Sequence, residues 1–421
     1  MPFPCFLCYA YTHKTSQSTL ISPLLHSSKF LQHVQPFGSL RADHRDDMMF
    51  ESLKFMEVQN LEDLGYNSFF ETELRRIAVE GVSVARVTSE SRGAYRVRNI
   101  DGEYFAKITG KRMFNASSRE DYPVVGDFVA IKILDKEQAM IECILPRATM
   151  MRRKFGDKNR QGEKDQTQII AANVDVAFIV QSVGRDYNLN RFERYIAIAK
   201  SGGVTPVIVL NKTDLISREE LNEKVSQVKE RIQGVSVITA DTVTSEGFNG
   251  LMAFIKKGKT YCFLGSSGVG KSSLINKLLG ESVIRTGDIG SHSERGRHVT
   301  TNRQMYFLEN GGIVIDNPGV REVALADADA GVPVSFDDIA EFSQNCRYPD
   351  CTHTHEPGCK VLEAVKSGKI DKEKYSNYVS LEKEAEYSEM NEAEKKNKDR
   401  RFGKFVSSAK KDLKKFRHKG Y

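Results

Sequence analysis

Gly265-Ser-Ser-Gly-Val-Gly-Lys-Ser272 follows the apolar run Thr260-Tyr-Cys-Phe-Leu264 and precedes the helix-like Ser273-Leu-Ile-Asn-Lys-Leu-Leu279, the strand, loop and helix setting that a phosphate cradle requires. Backbone N–H groups along Gly265, Ser266, Ser267, Gly268, Val269, Gly270 and into Ser273 can line the phosphates. Lys271 can neutralise β/γ oxygens, and Ser272 can bind magnesium. Working outward, Asn211-Lys-Thr-Asp214 lies upstream of this loop, and Asp316-Asn-Pro-Gly319 lies downstream. The usual GTPase begins with its phosphate loop and meets its base-reading motif near the end. The rotated order implies a circularly permuted nucleotide domain.

Base choice follows from acceptor chemistry. The Asp214 carboxylate can only accept, so it can take the ring N–H and the exocyclic amino group of guanine, a donor pair that adenine lacks. Lys212 can lie along the base plane, Asn211 can brace the loop, and Thr213 completes the motif. Alone the tetrapeptide is weak, being a common surface turn; beside the phosphate loop it favours GTP over ATP. Thr239-Ala240, after the run Val235 to Ile238, fits a loop that supports the base from its other side, with Ala240 as the contact.

Asp316 ends another apolar run and can hold magnesium through water, while the Gly319 N–H can reach the γ-phosphate. Val320 stands next, where a Ras-like enzyme carries its water-positioning glutamine. An apolar side chain cannot orient water. The task passes to Gly296-Arg-His-Val-Thr-Thr301, read as a mobile switch loop, in which Thr300 is the first choice of magnesium ligand and Thr301 the second. His298, two residues away, can accept or relay a proton from water, or be simply an exposed loop histidine.

Cys346, Cys351, His353 and Cys359 supply three thiolates and an imidazole at short spacing, the mixture of a closed structural zinc site, with His355 as an alternative fourth ligand. Seven cysteines, so clustered, do not make a secreted disulfide scaffold and point to a reducing compartment, with cytosol the default. No apolar run is long enough to span a bilayer, so no membrane partner is expected.

At 421 residues the chain calls for two or three domains. Residues 1 to about 47 are rich in Ser, His and Pro, with no acidic residue before Asp43, and residues 1–55 read as a disordered tail or a misassigned start, with Met48, Met49 or Met56 as alternatives. Residues 78–150 hold five short alternating runs parted by turn signals, which suggest an OB-fold β-barrel. Its Arg86, Arg92, Arg96, Arg98, Lys107, Lys111 and Arg112 are expected to form a basic surface for RNA phosphates. Arg152 to Gln168 reads as a charged linker. Residues 168–330 alternate buried strands with helices, an α/β doubly wound sheet. Residues 334–421 follow as a zinc-binding, mainly helical domain with a basic tail suited to nucleic acid.

With these motifs in this order, the sequence resembles the ribosome small subunit-dependent GTPase A family over about Asn60 to Tyr378. Gly126-Asp127, Leu145-Pro-Arg147, Ala171-Ala-Asn-Val-Asp175 and Asp316-Asn-Pro-Gly-Val-Arg321 belong to the likeness, together with the nucleotide motifs and the Cys/His set. Val299 departs from it, standing where the family carries the first of three threonines. The resemblance implies a permuted P-loop GTPase domain between a barrel and a zinc domain. It also implies GTP hydrolysis stimulated by the small ribosomal subunit during late maturation of that subunit. GTP with magnesium, one structural zinc, the subunit's rRNA and a monomeric state complete the expectation. A ribosome-independent permuted GTPase, or an RNA-binding module with weak nucleotide turnover, is the alternative.

Overall fold

Apolar residues recur at every second position between Ser83 and Ile144, and in the computed structural model these runs close into a barrel. The structure describes residues 58–91, 93–110, 116, 118–155, 166–184, 187–244, 246–280, 282–284, 303–316, 336–390 and 392–417. A capped helix α1 (Ser68–Ile77) precedes β1 (Ser83–Ser91), β2 (Ala94–Arg98), β3 (Glu103–Ile108), β4 (Phe128–Ile133) and β5 (Gln138–Ile144). They pair in the order β1-β2-β3-β5-β4, and β4 returns to β1. Val87, Val97, Val129, Ile131 and Ile141 fill the interior, while Phe128, Ala130 and Cys143 point outward to pack with Phe70 of α1. This is the five-stranded barrel the sequence implies, with OB-fold topology.

Arg152 to Gln168 corrects one expectation. Instead of a simple linker, the region contributes to the antiparallel pair β6 (Met150–Phe155) and β7 (Gln166–Ala172). Neither Met150-Met-Arg-Arg-Lys-Phe155 nor Gln166-Thr-Gln-Ile-Ile-Ala-Ala172 alternates apolar with polar residues, so period 2 gave no signal there.

The nucleotide half is β8 (Val176–Ser182), α2 (Leu189–Ser201), β9 (Thr205–Asn211), α3 (Arg218–Arg231), β10 (Ser236–Ala240), α4 (Glu246–Phe254), β11 (Thr260–Leu264), α5 (Lys271–Leu279), β12 (Gln304–Phe307) and β13 (Ile313–Asp316). Its strands run β10-β9-β8-β11-β13-β12, parallel except where β12 meets β13. Side chains alternate between two cores, as period 2 demands. Ile179, Ile208, Leu210 and Ile315 face α2, whereas Phe178, Val180, Val207 and Val314 pack with Leu251 and Leu274 of α4 and α5. Covering both faces is what a parallel sheet requires. A Ser89–Gln304 pairing joins β1 to β12, so barrel and nucleotide strands form one eleven-stranded sheet.

Helices α6 (Asp337–Ser343), α7 (Lys360–Lys366), α8 (Lys372–Glu389) and α9 (Glu392–Arg417) follow. Phe336, Ile339, Val361, Tyr378 and Leu381 enter the same core as Phe192 and Ile196 of α2. No described helix is long and apolar enough to cross a membrane.

Arg86 overturns part of the expected basic surface. It is 1 % exposed, and its guanidinium donates to the carbonyls of Leu64, Gly126 and Asn173 and to the Thr260 hydroxyl. Alternation grouped it with Arg96 and Arg98, which are partly exposed, but β1 is covered by the nucleotide half at Arg86. Burial lowers its pKa to about 10, so it keeps its charge at neutral pH. Arg98 is half-buried, with its guanidinium over the Phe307 ring, and Arg92, Lys111 and Arg112 lie outside the described residues, as does the segment 1–55.

Candidate nucleotide site and Cys/His cluster

Parallel β8, β9, β11 and β13 all end at one edge of the sheet, so the loops that follow them converge where open α/β sheets take ligands. The loop Gly265 to Gly270 leaves β11 and turns into α5, whose N-cap is Gly270 and whose first turn has no side-chain cap. Gly270 sits at φ 96°, and a Cβ there would stand 2.3 Å from the Asn211 amide nitrogen. Only glycine lets the two loops meet this closely.

Their contact is specific. Asn211 Nδ2 donates to the Val269 carbonyl at 2.8 Å, which binds the base-reading loop to the phosphate loop. Asn211 is 2 % exposed, and its Oδ1 is buried with no partner among the described residues, an arrangement that costs about 1–3 kcal/mol. Lys212 follows in left-handed backbone, φ 62°, and turns the chain so that Asp214 is exposed at the start of a short 3₁₀ turn. Thr213 Oγ1 reaches Asp241 Oδ2 at 3.2 Å and the Ala240 carbonyl at 3.4 Å, bringing the loop after β10 alongside.

Lys271 Nζ donates to the carbonyls of Gly265 and Ser266, each at 2.7 Å, so the ammonium lies across the loop it belongs to. Ser272 and Ser273 are in the first turn of α5, and Ser267 and Gly268 are exposed at the loop's tip. Asp316 is the last residue of β13, whose neighbour is β11. Thus Asn211, Lys212, Thr213, Asp214, Ala240, the whole phosphate loop and Asp316 share one edge. His298, Thr300, Thr301 and Gly319 lie outside the described residues.

Two site features escaped the sequence reading. Asp241 is buried and accepts from Thr244 N and Val243 N as well as from two threonine hydroxyls; burial opposes its charge, but these bonds hold its carboxyl below the usual range. The signal was an Asp just beyond a strand, followed by Thr-Val-Thr, an Asx-turn pattern. Arg191, in the first turn of α2, reaches within 3.5 Å of Ser266 Oγ. Nothing in spacing links residues 75 positions apart.

At the far end of the core, Cys346, Cys351, His353 and Cys359 place their ligand atoms within 4.8 Å of one another. Sulfurs bound tetrahedrally at about 2.3 Å stand about 3.8 Å apart. Cys346 Sγ lies 3.9 Å from Cys359 Sγ, and His353 Nδ1 is 3.6 and 3.5 Å from those sulfurs, so the donor set fits such an ion. Lys360 N donates to the Cys346 sulfur and Leu362 N to the Cys359 sulfur; burial opposes charge on Cys346, but its hydrogen bonds hold that thiol below its usual range. His353 takes φ 57° to turn inward, and Tyr375 Oη holds its carbonyl at 2.7 Å. Burial lowers its pKa and keeps the imidazole neutral. His355 instead sits exposed with Nδ1 beside Thr354 Oγ1, outside the cluster.

A phosphate loop placed after its own base-reading loop, on a parallel sheet continued into a barrel, defines a circularly permuted P-loop GTPase. Residues 144–326 match the RsgA GTPase family model. The Small ribosomal subunit biogenesis GTPase RsgA 1 of Listeria innocua is 38 % identical over 327 residues, 78 % of this chain and 90 % of that protein. The RsgA of Methanosarcina acetivorans is 44 % identical over 268 residues, covering 63 % of this chain and 70 % of that one. The crystal structure of YjeQ from Thermotoga maritima superposes with a TM-score of 0.53 at 25 % identity, covering 72 % of this chain and 98 % of that one. YloQ, described as a circularly permuted GTPase, shares the fold with a TM-score of 0.52 at 22 % identity, over 74 % of this chain and 98 % of its own. The chain belongs to the RsgA GTPase family and is a GTP hydrolase.

Proposed function

We propose that this GTPase binds the small ribosomal subunit and hydrolyses GTP there, late in the subunit's maturation. The observation that carries the nucleotide half is the Asn211–Val269 bond, which locks a guanine-reading loop onto a phosphate loop. The names of the relatives support the ribosomal half. Units at 78–150, 168–330 and 334–421 would act as barrel, engine and metal-stapled dock.

Asp214, exposed beside Lys212, would accept both guanine donors, and Thr213 and Ala240 would flank the base. Lys271 would exchange two loop carbonyls for β/γ oxygens, and backbone N–H groups from Gly265 to Ser273, with Gly319, would take the rest. Magnesium, held by Ser272, Thr300 and Asp316, would neutralise charge on those oxygens. His298 would align the attacking water, a task Val320 cannot do. Zinc at Cys346, Cys351, His353 and Cys359 would be structural, since four protein donors leave no open position. The exposed faces of the barrel and the basic α9 would meet rRNA phosphates. Location in the cytosol and a monomeric state complete the reading.

GTP hydrolysis measured with and without purified small ribosomal subunits tests it. Stimulation is expected, and an unchanged rate would reject the ribosomal role. His298→Ala should lower the stimulated rate at nearly unaltered GTP affinity. Metal analysis should find one zinc per chain, lost in Cys359→Ser.

A further inference from the structure

We propose that Arg191 is a catalytic residue, a built-in arginine that places positive charge on the γ-phosphate as it leaves. Its guanidinium lies 3.5 Å from Ser266 Oγ, in the loop whose carbonyls also hold the Lys271 ammonium. Two independent observations make this more than a helix tethered to a loop. Arg191 occupies the first turn of α2, where the helix dipole disfavours a cation, and that turn carries no acidic residue to compensate. Among the described residues no carboxylate pairs with it, whereas its neighbours are matched: Glu193 with Arg231, and Arg194 with Glu384. A lone cation set against a dipole and facing a phosphate loop has an anion as its natural complement.

The chain also needs one. His298 would supply only the alignment of water that Val320 cannot provide, and an imidazole kept neutral for that task adds no positive charge at the γ-phosphate. In the step, a water oxygen bonds to the γ-phosphorus while the bond from that phosphorus to the β–γ bridging oxygen breaks. The electron pair leaves on the β-phosphate of GDP, and the water's proton ends on inorganic phosphate. Arg191 neither gains nor loses a proton; its guanidinium stabilises the charge spread over the bridging and γ oxygens. An arginine in this role can act within the same chain.

The position of Arg191 is in turn tied to the C-terminal helices. One residue before it, Asn190 Oδ1 accepts from Arg231 and its Nδ2 donates to Glu373 of α8 at 3.2 Å. Two residues after it, Glu193 accepts from Asn377 of α8. Seating of α8 therefore sets where the first turn of α2 holds the guanidinium.

The inference rests on GTP binding to the phosphate loop. The full-length protein is tested as Arg191→Ala and Arg191→Lys, with single-turnover GTP hydrolysis, affinity for fluorescent GDP, and capture of GDP with aluminium fluoride as a transition-state mimic. Arg191→Ala should lower kcat roughly tenfold or more, keep GDP affinity within about twofold, and lose capture of the mimic. Arg191→Lys should fall between, and added guanidinium should restore part of the alanine variant's rate. A kcat within about twofold of wild type, or a loss of GDP affinity as large as the loss of rate, would overturn it, the latter by making Arg191 a mere tether. Absence of hydrolysis in the unaltered protein would instead strike the nucleotide reading itself.

Discussion

The nucleotide sheet is joined to its two flanks by opposite chemistry. Toward the barrel the joint is polar and directional: Arg86 binds four acceptors, and Asn173 Nδ2 shares the Gly126 carbonyl at 3.1 Å. Toward the Cys/His helices it is mainly apolar: Phe336, Ile339, Tyr378 and Leu381 merge with the α2 core, beside polar ties from Asn377 to the buried Glu193 and from the buried Lys374 to the Arg231 carbonyl, and a rim pair between Arg194 and Glu384. Hydrogen bonds fix an angle, because they weaken steeply off-axis, whereas apolar contact tolerates sliding. The barrel is therefore held in one orientation, and the C-terminal helices are held chiefly by area, with directional bonds between α8 and the α2–α3 side of the sheet.

Breaking the polar joint should have the largest effect. Arg86→Met leaves the Leu64, Gly126 and Asn173 carbonyls and the Thr260 hydroxyl short of a donor, and should cost about 3–5 kcal/mol in chemical denaturation. Arg86→Lys sharpens the point, since one ammonium cannot match a planar fork and should recover only part of the loss. An Arg86→Lys protein as stable as the original would show that charge, and not direction, holds the barrel.

Next comes the apolar joint. Leu381 is fully buried, and Leu381→Ala should cost about 2–4 kcal/mol while loosening α8 selectively. Hydrogen exchange should rise in α6 to α8 and stay unaltered in β1 to β5; a uniform rise would mean the flanks are not separately anchored. The smallest effect belongs to the rim. Glu384→Ala removes the 2.8 Å, one-third-exposed pair with Arg194 and should change stability by about 0.2–1 kcal/mol. A larger loss in the same denaturation measurement would move the rim into the joint proper.

This contrast also explains what could be read beforehand. The loops proposed to hold phosphate and guanine stand out in the sequence because their chemistry is local: a glycine turn after a strand, an acceptor-only carboxylate, a lysine at fixed spacing. Gly126-Asp127, Leu145-Pro-Arg147 and Ala171 to Asp175 were recognised as part of a family likeness but had no role until folding brought them together. Gly126 is a case in point, since a Cβ there would stand 2.1 Å from the Ala172 carbonyl of β7. Arg86 was misread for the same reason: a strand's alternation says which face a residue takes, not which distant element covers that face. Arg191 and Asp241 act through partners far along the chain or in a turn too short for periodicity to register.

The strand order β10-β9-β8-β11-β13 has a further consequence, for how the molecule is made. Synthesis delivers β8, β9 and β10 first, and they can pair at once, but the inner edge of β8 remains open until Thr260 to Leu264 emerge. In a GTPase that begins with its phosphate loop, that central strand is already waiting. Here the guanine-reading half must spend the intervening stretch of translation with an unpaired edge, the feature most prone to pair with the wrong chain. Rotating the motifs thus moves a hazard as well as a site, from the periphery of the sheet to its middle, and β11 is the strand that removes it.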